Sequence, residues 1–195
     1  NNYMNGILQS DHVLKTIWAW LETAGYLRSS IVVITSDHGD SLGENGHLGH
    51  ARSLHTPELL TPLWIHAPNG TMPIRDPVFQ DDIAPTILDY LGLPIPASWT
   101  GQSLLKPAPS TRWLPLYYIN NKDKFGLILT EGGRTLKYLV DYSTHSETLY
   151  DLDNDLFEHH DILGKVPPAV ADRFRSKLQS TFGTMLSTSQ APSLQ

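Results

Sequence analysis

The 195-residue sequence contains no cysteine. Disulfides, thiolate metal sites and cysteine nucleophiles are therefore excluded on this chain, and the redox compartment is left open. No apolar run approaches the roughly 20 residues that span a bilayer, so the chain carries no membrane segment of its own. Lysines and arginines never cluster, and the net charge is −6. With no basic footprint for a phosphate backbone, nucleic acid is not an expected partner. Internal repeats are also lacking. Charged residues reach 17% against 40% apolar, a balance that argues against disorder and coiled coil and leaves a globular chain. The opening Asn1-Asn2-Tyr3 has neither an initiator methionine nor a signal-like pattern, so the chain is expected to begin inside a larger protein.

What is present begins as α/β grammar. Leu14, Ile17, Trp18 and Leu21 fall at helical spacing, with Ser10 or Asp11 as cap and Gly25 as stop, and predict an amphipathic helix over 11–25. Ile31-Val32-Val33-Ile34-Thr35 lacks alternation, the pattern of a parallel strand buried on both faces. Residues 62–68 read as a second short strand bounded by prolines. Asp81 or Asp82 caps a helix through Leu91, which Gly92 ends. Pro94, Pro96, Pro107 and Pro109 then mark a connection. Beyond it, short strands at 113–119, 125–130, 135–140 and 148–152, with turns at 120–123 and at Gly132-Gly133, predict an antiparallel sheet. Pro167-Pro168 opens a helix whose Val170, Phe174, Leu178 and Phe182 share a face. The expected domains are an α/β part over 1–106, a small sheet-plus-helix subdomain over 107–186 and a loose tail over 187–195.

The chemistry concentrates in Ser36-Asp37-His38-Gly39-Asp40-Ser41-Leu42-Gly43-Glu44-Asn45-Gly46-His47-Leu48-Gly49-His50. Asp37 and His38 are adjacent, so both reach one ion only where a strand ends and the chain turns. A carboxylate with an imidazole suits manganese, zinc or iron, whereas calcium prefers oxygen throughout. An isolated Asp-His pair is most simply a turn cap beside a core histidine. Here Glu44, His47, His50 and His55 follow within 18 residues among several glycines, a composition that builds neither core nor helix and marks a functional loop. Asp37, His38 and His50 are the residues expected to carry chemistry. His47 and His55 read as surface or supporting groups, and Glu44 as a residue that holds the loop by accepting backbone N–H groups.

The run from Ile31 through Leu54, continuing to Leu60-Thr61-Pro62-Leu63-Trp64-Ile65, resembles the second metal motif of the sulfatase branch of the alkaline phosphatase superfamily. Asp82-Ile83-Ala84-Pro85-Thr86-Ile87-Leu88-Asp89-Tyr90-Leu91-Gly92 resembles the family's following helix. Lys137-Tyr138 and the stretch from Glu147 to Asp155 resemble its last strands. The resemblance covers residues 3 to about 163 and implies the C-terminal half of an alkaline-phosphatase-like α/β domain followed by the family's small subdomain.

It further implies Asp37 and His38 as ligands of one divalent metal ion, calcium by family, with manganese or zinc also suited. His50 takes the place of the residue that touches the substrate's ester oxygens, with catalytic and substrate-binding roles. Arg52 is a weaker candidate for the same contact, and Asp40 stands where the family more often has a glutamate behind the ligands. The family's nucleophile motif, Cys/Ser-x-Pro-x-Arg, and its paired acidic ligands are not found in these 195 residues. The implied activity is hydrolysis of sulfate esters, with the N-terminal half of the catalytic domain as a required partner and the isolated chain inactive. Two alternatives are a phosphoethanolamine or phosphoglycerol transferase acting on phosphate esters and a non-catalytic binding module. Relatives of this kind are periplasmic, secreted or on the outer face of a membrane protein.

Overall fold

A computed structural model describes residues 2–72, 77–118 and 123–188. The chain divides into two compact units, one made of residues 1–36 and 62–106, the other of 37–61 and 107–195. Residues 37–61, placed by the sequence with the first domain, thus group with the C-terminal sheet.

In the first unit, helix α1 spans Asn2–Thr23, nine residues earlier than the periodicity indicates. Neither Ser10 nor Asp11 caps it, because nothing in residues 2–10 breaks a helix. Its end is as expected: Gly25 adopts φ 78° and donates its N–H to Glu22 O, a conformation that costs glycine little. Strands β1 (Val32–Thr35) and β4 (Leu63–Ala67) pair antiparallel, Val32 opposite His66 and Thr35 opposite Leu63. The parallel pairing expected of β1 is therefore corrected. An apolar run without alternation reports flanking hydrophobic groups but not the direction of the neighbouring strand, and β1 is only half-buried. Strand β5 (Gly70–Thr71) completes this sheet. Its core is Ile65, Ala67, Met72 and Leu104.

Helix α3 spans Ile83–Tyr90, and neither Asp81 nor Asp82 caps it through a side chain. The fully buried Asp82 instead accepts the N–H groups of Phe79 (3.2 Å) and Gln102 (2.7 Å). It ties the approach to the helix to the segment that follows it. Gly101 lies so close to Asp81 that a Cβ there would meet the Asp81 carbonyl oxygen at 1.8 Å, so glycine is required by space rather than by φ.

The second unit holds four antiparallel strands in meander order: β6 (Thr111–Tyr117), β7 (Lys124–Glu131), β8 (Arg134–Asp141) and β9 (Ser146–Asp151). Gly132 and Gly133, φ 59° and 77°, make the tight β7–β8 turn that needs two left-handed residues. Side chains alternate between faces. Phe125, Leu127, Leu129, Tyr138, Val140 and Leu149 pack against Phe174, Leu178, Phe182 and Leu186 of helix α4 (Pro168–Thr188). Leu139, on the other face, packs with Tyr150 and with Leu54 of the loop. Of the turn expected at 120–123, residues 120–122 lie outside the described residues, as do residues 189–195 of the expected tail; the tail's first two positions, 187 and 188, continue helix α4 instead.

Candidate metal centre

The loop that follows β1 in the chain folds on itself as a short hairpin, β2 (Ser41–Leu42) against β3 (Leu48–Gly49). Gly43, Asn45, Gly46, Gly49 and Ala51 all take positive φ. Glu44 sits in the turn and accepts the Leu42 N–H at 2.5 Å, the loop-holding role its position suggests. Gly39 is required by close approach of the backbone. Its N–H donates to Glu58 O at 3.0 Å, and a Cβ there would meet Pro57 O at 2.2 Å and Leu60 O at 2.8 Å.

His38 donates Nδ1–H to Gly39 O at 2.9 Å, which leaves Nε2 with its lone pair. Oδ2 of Asp37 lies 3.5 Å from that nitrogen. Two ligand atoms on one tetrahedral ion stand about 3.4 Å apart, so this pair fits a shared ion. His38, Asp40 and His50 also come together, with one ligand atom from each within 4.8 Å of the others. Oδ1 of Asp40 receives Nδ1–H of His50 at 2.8 Å, and the His38 and His50 rings lie 4.1 Å apart. A carboxylate that orients an imidazole in this way fixes its tautomer and frees Nε2 for a ligand or substrate. His38 belongs to both groupings. Two imidazoles and two carboxylates form a mixed N/O set that suits zinc or manganese better than calcium.

His47 is not among the residues of that cluster. His47 stacks towards His55, with ring centroids 6.4 Å apart. Arg52 takes part through its backbone, donating N–H to Glu58 Oε2 at 2.8 Å and accepting Lys124 Nζ at 3.2 Å.

Three buried groups escape sequence reasoning. Glu58, in the short helix α2 (Thr56–Leu59), accepts Arg52 N–H, Ser53 N–H and Ser53 Oγ–H. Glu158 accepts Thr56 N–H at 3.0 Å, Thr56 Oγ–H at 2.9 Å and His55 Nδ1–H at 2.5 Å. Lys137 Nζ pairs with Glu158 at 2.5 Å, both side chains essentially inaccessible. Nothing local in the sequence signals the contacts of Glu158 and Lys137 with residues 55 and 56, which join positions 81 to 103 residues apart.

Burial pushes the Glu58 and Glu158 carboxyls up, but the donors around them outweigh it, and both lie below the ordinary 4.5. On the surface, the Arg173 guanidinium pulls Glu131 down to about 2. Groups with depressed values stabilise the fold fully above the ordinary carboxylate range and lose that contribution as pH falls through their folded values. The thermal midpoint is therefore expected to hold down to about pH 5 and to fall steadily from there towards pH 2. Glu58→Gln should flatten the fall, as read by circular dichroism melts across that range.

Geometry and sequence define a mixed α/β chain with a His/Asp cluster that could hold a metal ion. Residues 1–93 match the sulfatase family model, a match consistent with the alkaline phosphatase superfamily. Arylsulfatase K of Bos taurus is 33% identical over 99 residues, covering 50% of this chain and 18% of its own length. A 2,3-bisphosphoglycerate-independent phosphoglycerate mutase of Microcystis aeruginosa is 36% identical over 84 residues, covering 40% and 16%. A protein solved with its substrate D-glucosamine-2-N,6-O-disulfate aligns at TM-score 0.64 and 24% identity, over 94% of this chain and 40% of that one. A 2-O GAG sulfatase aligns at 0.61 and 22%, over 85% and 39%. These structures place the fold as alkaline-phosphatase-like α/β with an antiparallel sheet and C-terminal helix. The chain spans about a fifth or less of the curated relatives and about two fifths of the solved chains.

Proposed function

We propose that this chain carries half of the active site of a metal-dependent sulfate-ester hydrolase. The observation that supports it most is the convergence of Asp37, His38, Asp40 and His50 within one loop of a sequence that matches the sulfatase family model. Asp37 Oδ2 and His38 Nε2 would hold one divalent ion of the zinc–manganese class. When bound, the ion supplies Lewis-acid charge to the ester oxygens. His50, with Nδ1–H held by Asp40 and a second proton on Nε2, would give the Nε2 proton to the leaving oxygen, the Asp40 carboxylate balancing the charge on the ring before the transfer. Arg52 is the further proposed contact to the ester group.

The nucleophile and the remaining ligands would come from outside these 195 residues, so the chain alone should bind metal weakly and turn nothing over. By family we place the protein in the periplasm, outside the cell or on the outer face of a membrane protein. Among the described residues, no helix is long and apolar enough to cross a membrane. Phosphate-ester chemistry is the second reading, favoured by the mutase relatives.

The test is turnover of an aryl sulfate and of the matching aryl phosphate by the protein supplied with Mn2+, Zn2+ or Ca2+. Sulfate turnover that depends on added ion and is lost in Asp37→Ala supports the first reading. Preference for the phosphate moves the assignment to the second. Turnover by the 195-residue chain itself, above its Asp37→Ala variant, overturns the proposed inactivity.

A further inference from the structure

The buried Lys137–Glu158 pair is tied to the backbone beside the ion-binding cluster by two sets of hydrogen bonds joined through the short helix α2. Glu158 adopts φ 62°, a left-handed conformation that glutamate rarely takes without compensating contacts. Its carboxylate accepts from both the N–H and the hydroxyl of Thr56, the first residue of α2. Two residues on, Glu58 sends its side chain to the N–H groups of Arg52 and Ser53, just past His50. The Glu58 carbonyl oxygen accepts Gly39 N–H at 3.0 Å, next to His38. Fixing Thr56 therefore fixes Glu58, and Glu58 fixes the backbone beside each of the two histidines.

Lys137 contributes the opposite charge and a donor contact to Thr56 Oγ at 3.4 Å. A buried ion pair contributes little net stability compared with well-packed apolar residues of similar size. Its geometry does something apolar residues cannot, because only an acceptor at 158 satisfies the Thr56 donors.

We propose that Glu158 is a positioning residue, held by Lys137, that sets the backbone of the metal-binding loop through Thr56 and Glu58 and so brings His38 and His50 into register. This rests on the metal reading above.

The test compares two double variants of the protein, Glu158→Gln/Lys137→Met and Glu158→Leu/Lys137→Met. Both remove the buried charges, and only the first keeps an acceptor for Thr56. At matched melting temperature, the Gln variant should bind Mn2+ within about twofold of the parent and the Leu variant about tenfold more weakly. Amide hydrogen exchange gives a readout that does not depend on metal. In the Leu variant, the Gly39 and Arg52 amides should exchange about tenfold faster while the β7 and β8 amides keep the parent's rates. Equal Mn2+ affinity and equal exchange in the two variants would overturn the proposal, as would uniform acceleration across the sheet.

If the Leu variant does not fold, Thr56→Val takes its place, with about threefold weaker binding and faster Gly39 exchange expected and unchanged values overturning the idea. Asp37→Ala and His38→Ala separate the two levels. Mn2+ binding unaffected by either removes the metal reading, and the exchange data then decide the positioning role.

Discussion

In the protein that also supplies the nucleophile, His50→Ala should lower kcat for an aryl sulfate by about 10²–10⁴-fold, the range that removing a positioned general acid or a transition-state donor produces. Its Nδ1–H is committed to Asp40 at 2.8 Å, so alanine removes the Nε2 group proposed to act on substrate and leaves Asp40 without this partner. Mn2+ affinity separates the two roles the geometry allows. If His50 acts on the leaving oxygen, affinity stays within about threefold of the parent and the loss appears in kcat. A loss of affinity of about tenfold or more would instead make His50 a ligand alongside His38 and Asp40, on the scale seen for disturbed metal sites. Unchanged kcat and unchanged affinity together would remove His50 from the site.

Phe174→Ala should destabilise the second unit by about 3–5 kcal/mol, the cost of emptying a large aromatic site in a core. Phe174 is fully buried. Its ring meets Trp113 edge-on at 5.1 Å and Tyr138 at 5.4 Å, so the cavity is lined by two large rings that cannot easily collapse into it. Urea unfolding followed by tryptophan fluorescence reads the effect, since Trp113 lies at the lost contact. Leu178→Ala, also on the sheet-facing side of α4, should cost about 2–5 kcal/mol. A loss below 1 kcal/mol for Phe174→Ala would mean that α4 is not docked as described.

Much of the second unit was legible because its signals are local. The Gly132-Gly133 turn, the strand spacing and the four-residue period of Phe174, Leu178 and Phe182 each follow from neighbouring residues. Strand pairing extended this sheet by a residue or two and added Leu186 to the helix face. The first unit was less legible. The apolar stretch of β1 reveals a strand, but its antiparallel partner β4 begins 28 positions after β1 ends, after a loop whose path no period encodes. Helix α1 begins at Asn2 because a plausible cap residue at 10 or 11 also fits inside a helix.

The site shows the same division. Asp37, His38 and His50 stand out in the sequence because chemically active residues crowd a glycine-rich loop, and Glu44 proves to hold a backbone N–H as its place suggests. The motifs of the sequence carried, without any structure, the resemblance to the sulfatase family, and its residue types marked the glycine-rich loop in which acids and imidazoles crowd. Only the tertiary structure decided that Asp40 orients His50, that Gly39 is required by the carbonyls of Pro57 and Leu60, and that a buried Glu158–Lys137 pair grips Thr56. These are contacts between segments separated by 10 to about 100 residues. Their partners are chosen by burial and hydrogen-bond satisfaction, which depend on where the chain returns in space and leave no periodic mark along it.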